Sequence, residues 1–150
     1  MRKLLLIVVA LFVGYAFFIR PSRSPINETP STISEQSNGK SDAIIANAFL
    51  NHQSNLQVSG KGAVTKLLPD DNSGSRHQKF IIKLSSGQTL LIAHNIDLAP
   101  RIDSLREGDT VHFYGEYEWN EKGGVLHWTH RDPSGSHVDG WLEHQGQSYQ

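Results

Sequence analysis

The sequence predicts a small, mainly β protein, a five-stranded Greek-key barrel reached through an N-terminal apolar segment and a short helix. Three observations predict it. From Leu56 onward apolar residues recur with a period of two in short runs. Those runs are punctuated by Gly, Pro, Asn, Asp and Ser, which favour turns. They fall in the order strand, hairpin, irregular connection, hairpin, and that order suits a closed five-stranded sheet.

The chain has 150 residues, enough for one domain with appendages. It opens with Met1-Arg2-Lys3 and then sixteen residues without a charge, Leu4 to Ile19. A basic start followed by an apolar stretch has the form of an export signal. Two readings of residues 1–20 stay open. Sixteen residues fall slightly short of the roughly 17–25 that span a bilayer, which favours a cleaved signal. Cleavage after Gly14-Tyr15-Ala16 would leave Phe17-Phe18-Ile19 at the mature terminus, which favours an uncleaved anchor. The anchor is the preferred reading, with the remaining chain in the periplasm or another extracytoplasmic space. Secretion to the periplasm after cleavage is the alternative.

Residues 21–40 are rich in Ser, Pro, Thr and Asn and hold too few large apolar side chains to bury anything, so they read as a flexible linker. The domain is expected at 41–150. Ser41 suits the N-cap of a short helix through Asn51, with Ile44, Ile45, Ala48 and Phe49 near helical spacing. That helix is expected to brace the domain.

The first strand is expected over Val58 to Leu68, with Gly60 and Gly62 marking a bulge or sharp coil. Residues 69–76 form a polar loop. His77 to Leu84 alternates, with Gln78, Phe80, Ile82 and Leu84 on one face, and Ser86-Gly87 turns it into Thr89 to His94. Asn95 to Leu105 lacks a period of two and reads as a loop with a short helix. Thr110 to Trp119 places Val111, Phe113, Gly115 and Tyr117 on one face, opposite His112, Tyr114, Glu116 and Glu118. Asn120 to Gly124 closes a hairpin with Val125 to His130. The last twenty residues read as a Gly-rich tail anchored by Trp141, Leu142 and Tyr149. The segment Leu105 to Gly115, L-x-x-G-D-x-V-x-x-x-G, looks like the fourth strand of an oligonucleotide/oligosaccharide-binding (OB) barrel, in which a glycine lets the strand bend sharply. The alternative is a generic small β-sandwich.

The strings HQKFIIKLSSGQTLLIAHNIDLAPRI, LREGDTVHFYGEYEWNEKGGVLHWTH and DPSGSHVDGW also resemble an uncharacterised bacterial family, a domain of unknown function, across roughly residues 57–149. The resemblance implies an exported or membrane-anchored bacterial protein. It supplies no activity and no site residue.

Composition narrows the function. The formal charge is −1, and from Leu56 onward nine Lys/Arg face twelve Asp/Glu, a balance of −3. Binding to a polyanion draws much of its affinity from phosphate neutralisation, so nucleic acid is not expected as a partner. The absence of cysteine excludes disulfides, thiolate metal sites, thiol catalysis and a lipidated cysteine. Histidine is over-represented, with eight in all and seven of them after Leu56.

Three constellations could carry chemistry. His127, His130, Asp132, His137 and Asp139, with His144 beyond, offer imidazole and carboxylate ligands for a divalent transition metal such as zinc. Residues two apart on an extended piece share a face, so His130 with Asp132 and His137 with Asp139 could converge. His127 and His130 point oppositely unless the strand ends between them. The bland alternative packs each ring on Trp128 or Trp141 and bonds it to a backbone carbonyl. His77 and His94 would meet at the open end of their hairpin, with Asn95 and Asp97 beside them. A His–Asp pair there could act as a base with its orienting carboxylate, or the two polar residues could simply cap the connection. Tyr114, Trp119, Trp128 and Trp141 could form a stacking platform or close the barrel ends. Glu116 and Glu118 turn such a platform away from phosphate and toward a neutral or cationic ligand.

The composite expectation is a tethered binding module, held by residues 4–19, for an envelope glycan or protein partner and without catalysis. The alternatives are a metal-dependent hydrolase of a phosphodiester or glycan that uses the His/Asp cluster, and a purely structural partner in a membrane complex.

Overall fold

The computed structural model describes residues 30–150, with side chains within the first helix from residue 39 onward. Residues 1–20 and the first nine residues of the expected linker, 21–29, lie outside the described residues, while the rest of that linker, 30–40, is helical rather than flexible coil. Among those that are described, no helix is long and apolar enough to cross a membrane.

The elements are helix α1 (Pro30–Leu50) and strands β1 (Leu56–Leu67), β2 (His77–Lys83), β3 (Thr89–Asn95), β4 (Thr110–Glu118), β5 (Val125–His127), β6 (Trp141–His144) and β7 (Gln147–Tyr149). Strands pair in the order β1-β2-β3-β5-β4, and β4 returns to β1, so five strands close into a barrel. All these pairings are antiparallel except β3–β5. The expected OB-like barrel is therefore present.

Closure depends on β1, which pairs with β4 through Leu56–Ala63 and with β2 through Ala63–Leu67. Gly60 and Gly62 sit where that strand coils. A side chain at Gly60 would meet the Phe113 ring at 2.8 Å, and one at Gly62 the Lys83 carbonyl at 2.9 Å. The register shift falls just beyond them, between Val64 and Lys66.

Period-two alternation delivers the interior. Phe80, Ile82, Leu84, Leu90, Ile92, Val111, Phe113, Tyr117 and Leu126 are all buried in one core. One end of the barrel is sealed by α1. Asp42 of the helix accepts hydrogen bonds from the Ser85 hydroxyl and, at 2.9 Å, the Ser86 amide in the β2–β3 turn. Ile45 and Ala48 are buried beneath the helix, whereas Ile44 faces solvent. The other end is closed by the connection from Ile96 to Asp109, where the Gln78 side chain pairs with both backbone groups of Ile102, at 3.0 and 2.8 Å.

Three local features differ from expectation. Helix α1 begins at Pro30 and runs through Ser41, so Ser41 is not its cap; Pro at the first turn loses no helical hydrogen bond. The connection after β3 holds turns rather than a short helix, its shape set by Asn95, Asp97, Gln78 and His94. The tail is a hairpin: Gln145 (φ 52°) and Gly146 (φ 78°) form a two-residue turn joining β6 to β7. Leu142 and Tyr149 of that hairpin bury themselves as anchors, and β6 extends β4 along Val111–Tyr114.

Candidate functional site

The outer face of the barrel, across β2, β3, β5 and β4, gathers most of the chemically active side chains. Strand register explains why. In the β4–β5 hairpin Glu116 stands directly opposite His127, and Glu118 opposite Val125. Glu116 and Glu118 are two apart on one strand and share its outer face. The His127 Nε2 atom lies 3.4 Å from Glu116 Oε1 and 4.0 Å from Glu118 Oε1. It is buried and has no hydrogen-bond partner. Burial holds the His127 ring below the usual histidine range, against the pull of Glu116 and Glu118 in the other direction.

Strand β5 ends at His127. Trp128 follows with φ 50°, a left-handed conformation that is unfavourable for an aromatic residue. This reversal ends the strand between His127 and His130. It lays the Trp128 ring against His137, 4.0 Å between centroids and 8° between planes, with His130 at 5.3 Å. The His137 ring donates from Nδ1 to the Val138 carbonyl at 2.8 Å and from Nε2 to Glu116 Oε2 at 2.8 Å. The bond to Glu116 favours the charged ring and raises its pKa.

The loop carrying His137 is organised by Asp132. Its carboxylate accepts the amides of Ser134, Ser136 and His137 at 2.7–2.9 Å, together with both serine hydroxyls. These donors hold Asp132 far below the ordinary carboxylate range, the Ser134 amide foremost. Asp139 in turn accepts the Asp132 amide at 2.8 Å. Gly140 closes the loop against the strands, where an added Cβ would meet the Trp128 carbonyl at 1.9 Å and the Tyr114 carbonyl at 2.6 Å.

The predicted metal set therefore divides. His127 and His137 both reach Glu116, whereas Asp132 and Asp139 are committed to the loop. His130 is buried, donating from Nδ1 to the Arg131 carbonyl at 2.7 Å. The convergence expected of His130 with Asp132 and of His137 with Asp139 is corrected by the fold, because the segment is coiled around Asp132 and not extended. The two glutamates complete the cluster. The hairpin register carried that signal: a turn centred on Asn120–Gly124 sets Glu116 across from His127.

His77 and His94 lie near the same hairpin end but face opposite sides of the sheet. His94 pairs in register with Gln78, not His77, and is fully buried. It donates from Nε2 to the Pro100 carbonyl at 3.1 Å and accepts the Thr129 hydroxyl at Nδ1, 2.8 Å away. Burial lowers its pKa to about 4. Asn95 accepts the Asp97 amide at 2.9 Å, and Asp97 accepts both the backbone N–H and Nε of Arg76 at 2.7 Å. The polar pair caps the connection and does not orient a base. His77 instead lies on the outer face, donating from Nδ1 to the Ser75 carbonyl at 2.8 Å.

The aromatic platform divides as well. Trp119 donates from its indole to the Phe49 carbonyl at 3.1 Å and packs on His52, so it is spent on the helix. Tyr114 and Trp141 are cross-strand neighbours, 6.4 Å between ring centroids, on the outer face that also carries Glu116.

Two cavities flank His127, of about 200 and 430 Å³, and both are lined by His77, Ala93 and His127. Ala93 supplies a small floor between the two rings. Trp128 and His130 edge the smaller cavity, Lys79 and Glu118 the larger. A larger cavity of about 620 Å³ lies elsewhere, along β1 and β2 near Gly39, and is mostly apolar with Lys61 and Lys83 at its edge.

One family model, described as "Protein of unknown function (DUF3465)", matches residues 29–150. The chain belongs to this family. The match starts one residue before α1, so the helix and barrel together form the family's unit. Among curated proteins none matches the sequence.

Proposed function

We propose that this family member is a membrane-tethered, extracytoplasmic binding module, without catalysis, that holds a neutral envelope glycan on the outer face over β2, β3, β5 and β4. One observation carries the reading. The stacked Trp128–His137 pair stands beside two cavities lined by His77 and His127, with Trp128 at the smaller, Glu118 at the larger, and Glu116 bonded to His137. Aromatic faces take the apolar side of a sugar ring, and carboxylates accept its hydroxyl protons. The same carboxylates repel phosphate, and the domain as a whole is acidic. The tether rests on Leu4 to Ile19, whose apolar run supports export and anchoring.

Tryptophan fluorescence of the full chain in detergent, titrated with soluble cell-wall glycan fragments, tests the proposal. Saturable quenching that disappears in Trp128→Phe and persists in Trp119→Phe is expected. A salt-sensitive response to single-stranded oligonucleotide, with none to glycan, would overturn it. A protein partner on the same face would show as neither response, with Trp128→Phe abolishing co-purification. The hydrolase alternative keeps one supporting observation, the meeting of two carboxylates and an imidazole on this face. Turnover of a glycan or phosphodiester by the purified chain would establish it.

A further inference from the structure

Glu116, Glu118 and His127 each offer one ligand atom, and the three atoms all lie within 4.8 Å of one another. We propose that they bind one divalent transition-metal ion of the zinc type. Bonds of roughly 2.0–2.1 Å from a tetrahedral ion place neighbouring ligand atoms about 3.3 Å apart. The Nε2 to Glu116 contact of 3.4 Å already matches such an edge, and the 4.0 Å contact to Glu118 closes with a small carboxylate rotation.

The environment supplies what a metal ligand set needs. His127 Nε2 is a buried lone pair or proton without a hydrogen-bond partner, facing two carboxylates. An ion on that atom satisfies all three groups together. Among the described residues, no Lys or Arg pairs with Glu116 or Glu118 within 4 Å. Glu116 is oriented by His137, which holds Oε2 and leaves Oε1 toward the ion. A nitrogen ligand beside two oxygens selects zinc, nickel or manganese over magnesium and calcium, which prefer all-oxygen shells. Three protein ligands leave a fourth position for water or a ligand atom, and two of the three, Glu118 and His127, line the larger cavity beside them. The site stands independently of the glycan reading, because it is measured with the metal alone.

The experiment uses the tag-free full chain in detergent, stripped with chelator and titrated with Zn²⁺ against a chromophoric indicator. One equivalent bound, unchanged by millimolar Mg²⁺ or Ca²⁺, is the expected result. Glu118→Gln and His127→Ala should each weaken binding by at least about tenfold, and His137→Gln by about 10–100-fold as an orienting partner. His112→Ala, on the exposed far part of β4, should bind as the parent does. Melting curves of the stripped variants, matching the parent within a few degrees, separate lost binding from lost fold. Absence of stoichiometric zinc would overturn the proposal, as would binding that survives both Glu118→Gln and His127→Ala. In neither case does the glycan titration of stripped protein change its meaning.

Discussion

The imidazole of His137 lies flat on the indole of Trp128, 4.0 Å away and 8° from parallel. The contact joins the coiled loop of Asp132 to the end of β5, where Trp128 takes a left-handed backbone conformation. A stacked ring pair contributes about 0.5–1.5 kcal/mol beyond its buried area, comparable to the 1–2 kcal/mol that a left-handed residue costs. The two roughly offset, and the missing side chain at Gly140 lets the loop lie directly against the Trp128 carbonyl.

Separating the two contributions gives a prediction. Trp128→Ala loses the stack and keeps the strain, whereas Trp128→Gly loses both. The glycine variant should therefore be more stable than the alanine variant by about 1 kcal/mol, despite glycine's greater unfolded entropy. Urea midpoints of the two variants check this, and an alanine variant equal to or better than glycine would contradict it.

His94 predicts acid sensitivity. Its folded pKa is depressed to about 4 by burial, below the ordinary 6.5, so the unfolded chain takes up the proton first. The stabilisation is complete above the unfolded value and is lost as pH falls from 6.5 toward 4. Full loss amounts to about 3 kcal/mol. Denaturant midpoints should fall between pH 7 and 4.5, and His94→Gln should flatten the slope. A parent profile that stays level over that window would refute the assignment.

Asp132 holds its loop through three backbone amides, and the bonds weaken if the charge is removed. Asp132→Asn should speed amide exchange at Ser134, Ser136 and His137. It should also let the His137 pKa fall back toward the ordinary value as the ring leaves Glu116. Nuclear magnetic resonance titration of the His137 ring reads the second effect. An unchanged His137 pKa would mean that the loop keeps its shape without the carboxylate.

Helix α1 is tied down by a buried carboxylate and an indole. Asp42→Ala leaves the Ser86 amide without its acceptor and should cost about 1–3 kcal/mol. Trp119→Phe removes the bond to Phe49 and part of the packing on His52, and should cost about 1 kcal/mol or somewhat more. Chemical denaturation measures both. Equal costs near zero would show that the helix rests on the barrel without bracing it.

How much of this was legible before folding differs by element. The alternation in β2 and β4 identified the inward sets, because a strand allows only two faces and one must be apolar. The barrel topology followed from strand order and from Gly60, Gly62 and Gly115. The tail hairpin was not read, although Gln145-Gly146 between Trp141-Leu142 and Tyr149 carries a turn signal; the segments are too short for periodicity to show. Residues of the predicted sites scattered for a common reason. His94, Asn95, Asp97, Asp132 and Asp139 are polar groups that the backbone itself needed at loop and barrel ends, and residue type does not distinguish that demand from a ligand's.

Local chemistry in the sequence therefore determined the five barrel strands, which face of each is buried, and that histidine and tryptophan crowd the last third. Tertiary structure alone decided which of them meet. His127 faces Glu116 because of hairpin register, His137 reaches Glu116 because Asp132 coils its loop, and His94 is interior because it pairs with Gln78. Register and loop path are set by contacts among residues far apart in the chain, and those distances exist only once the barrel has closed.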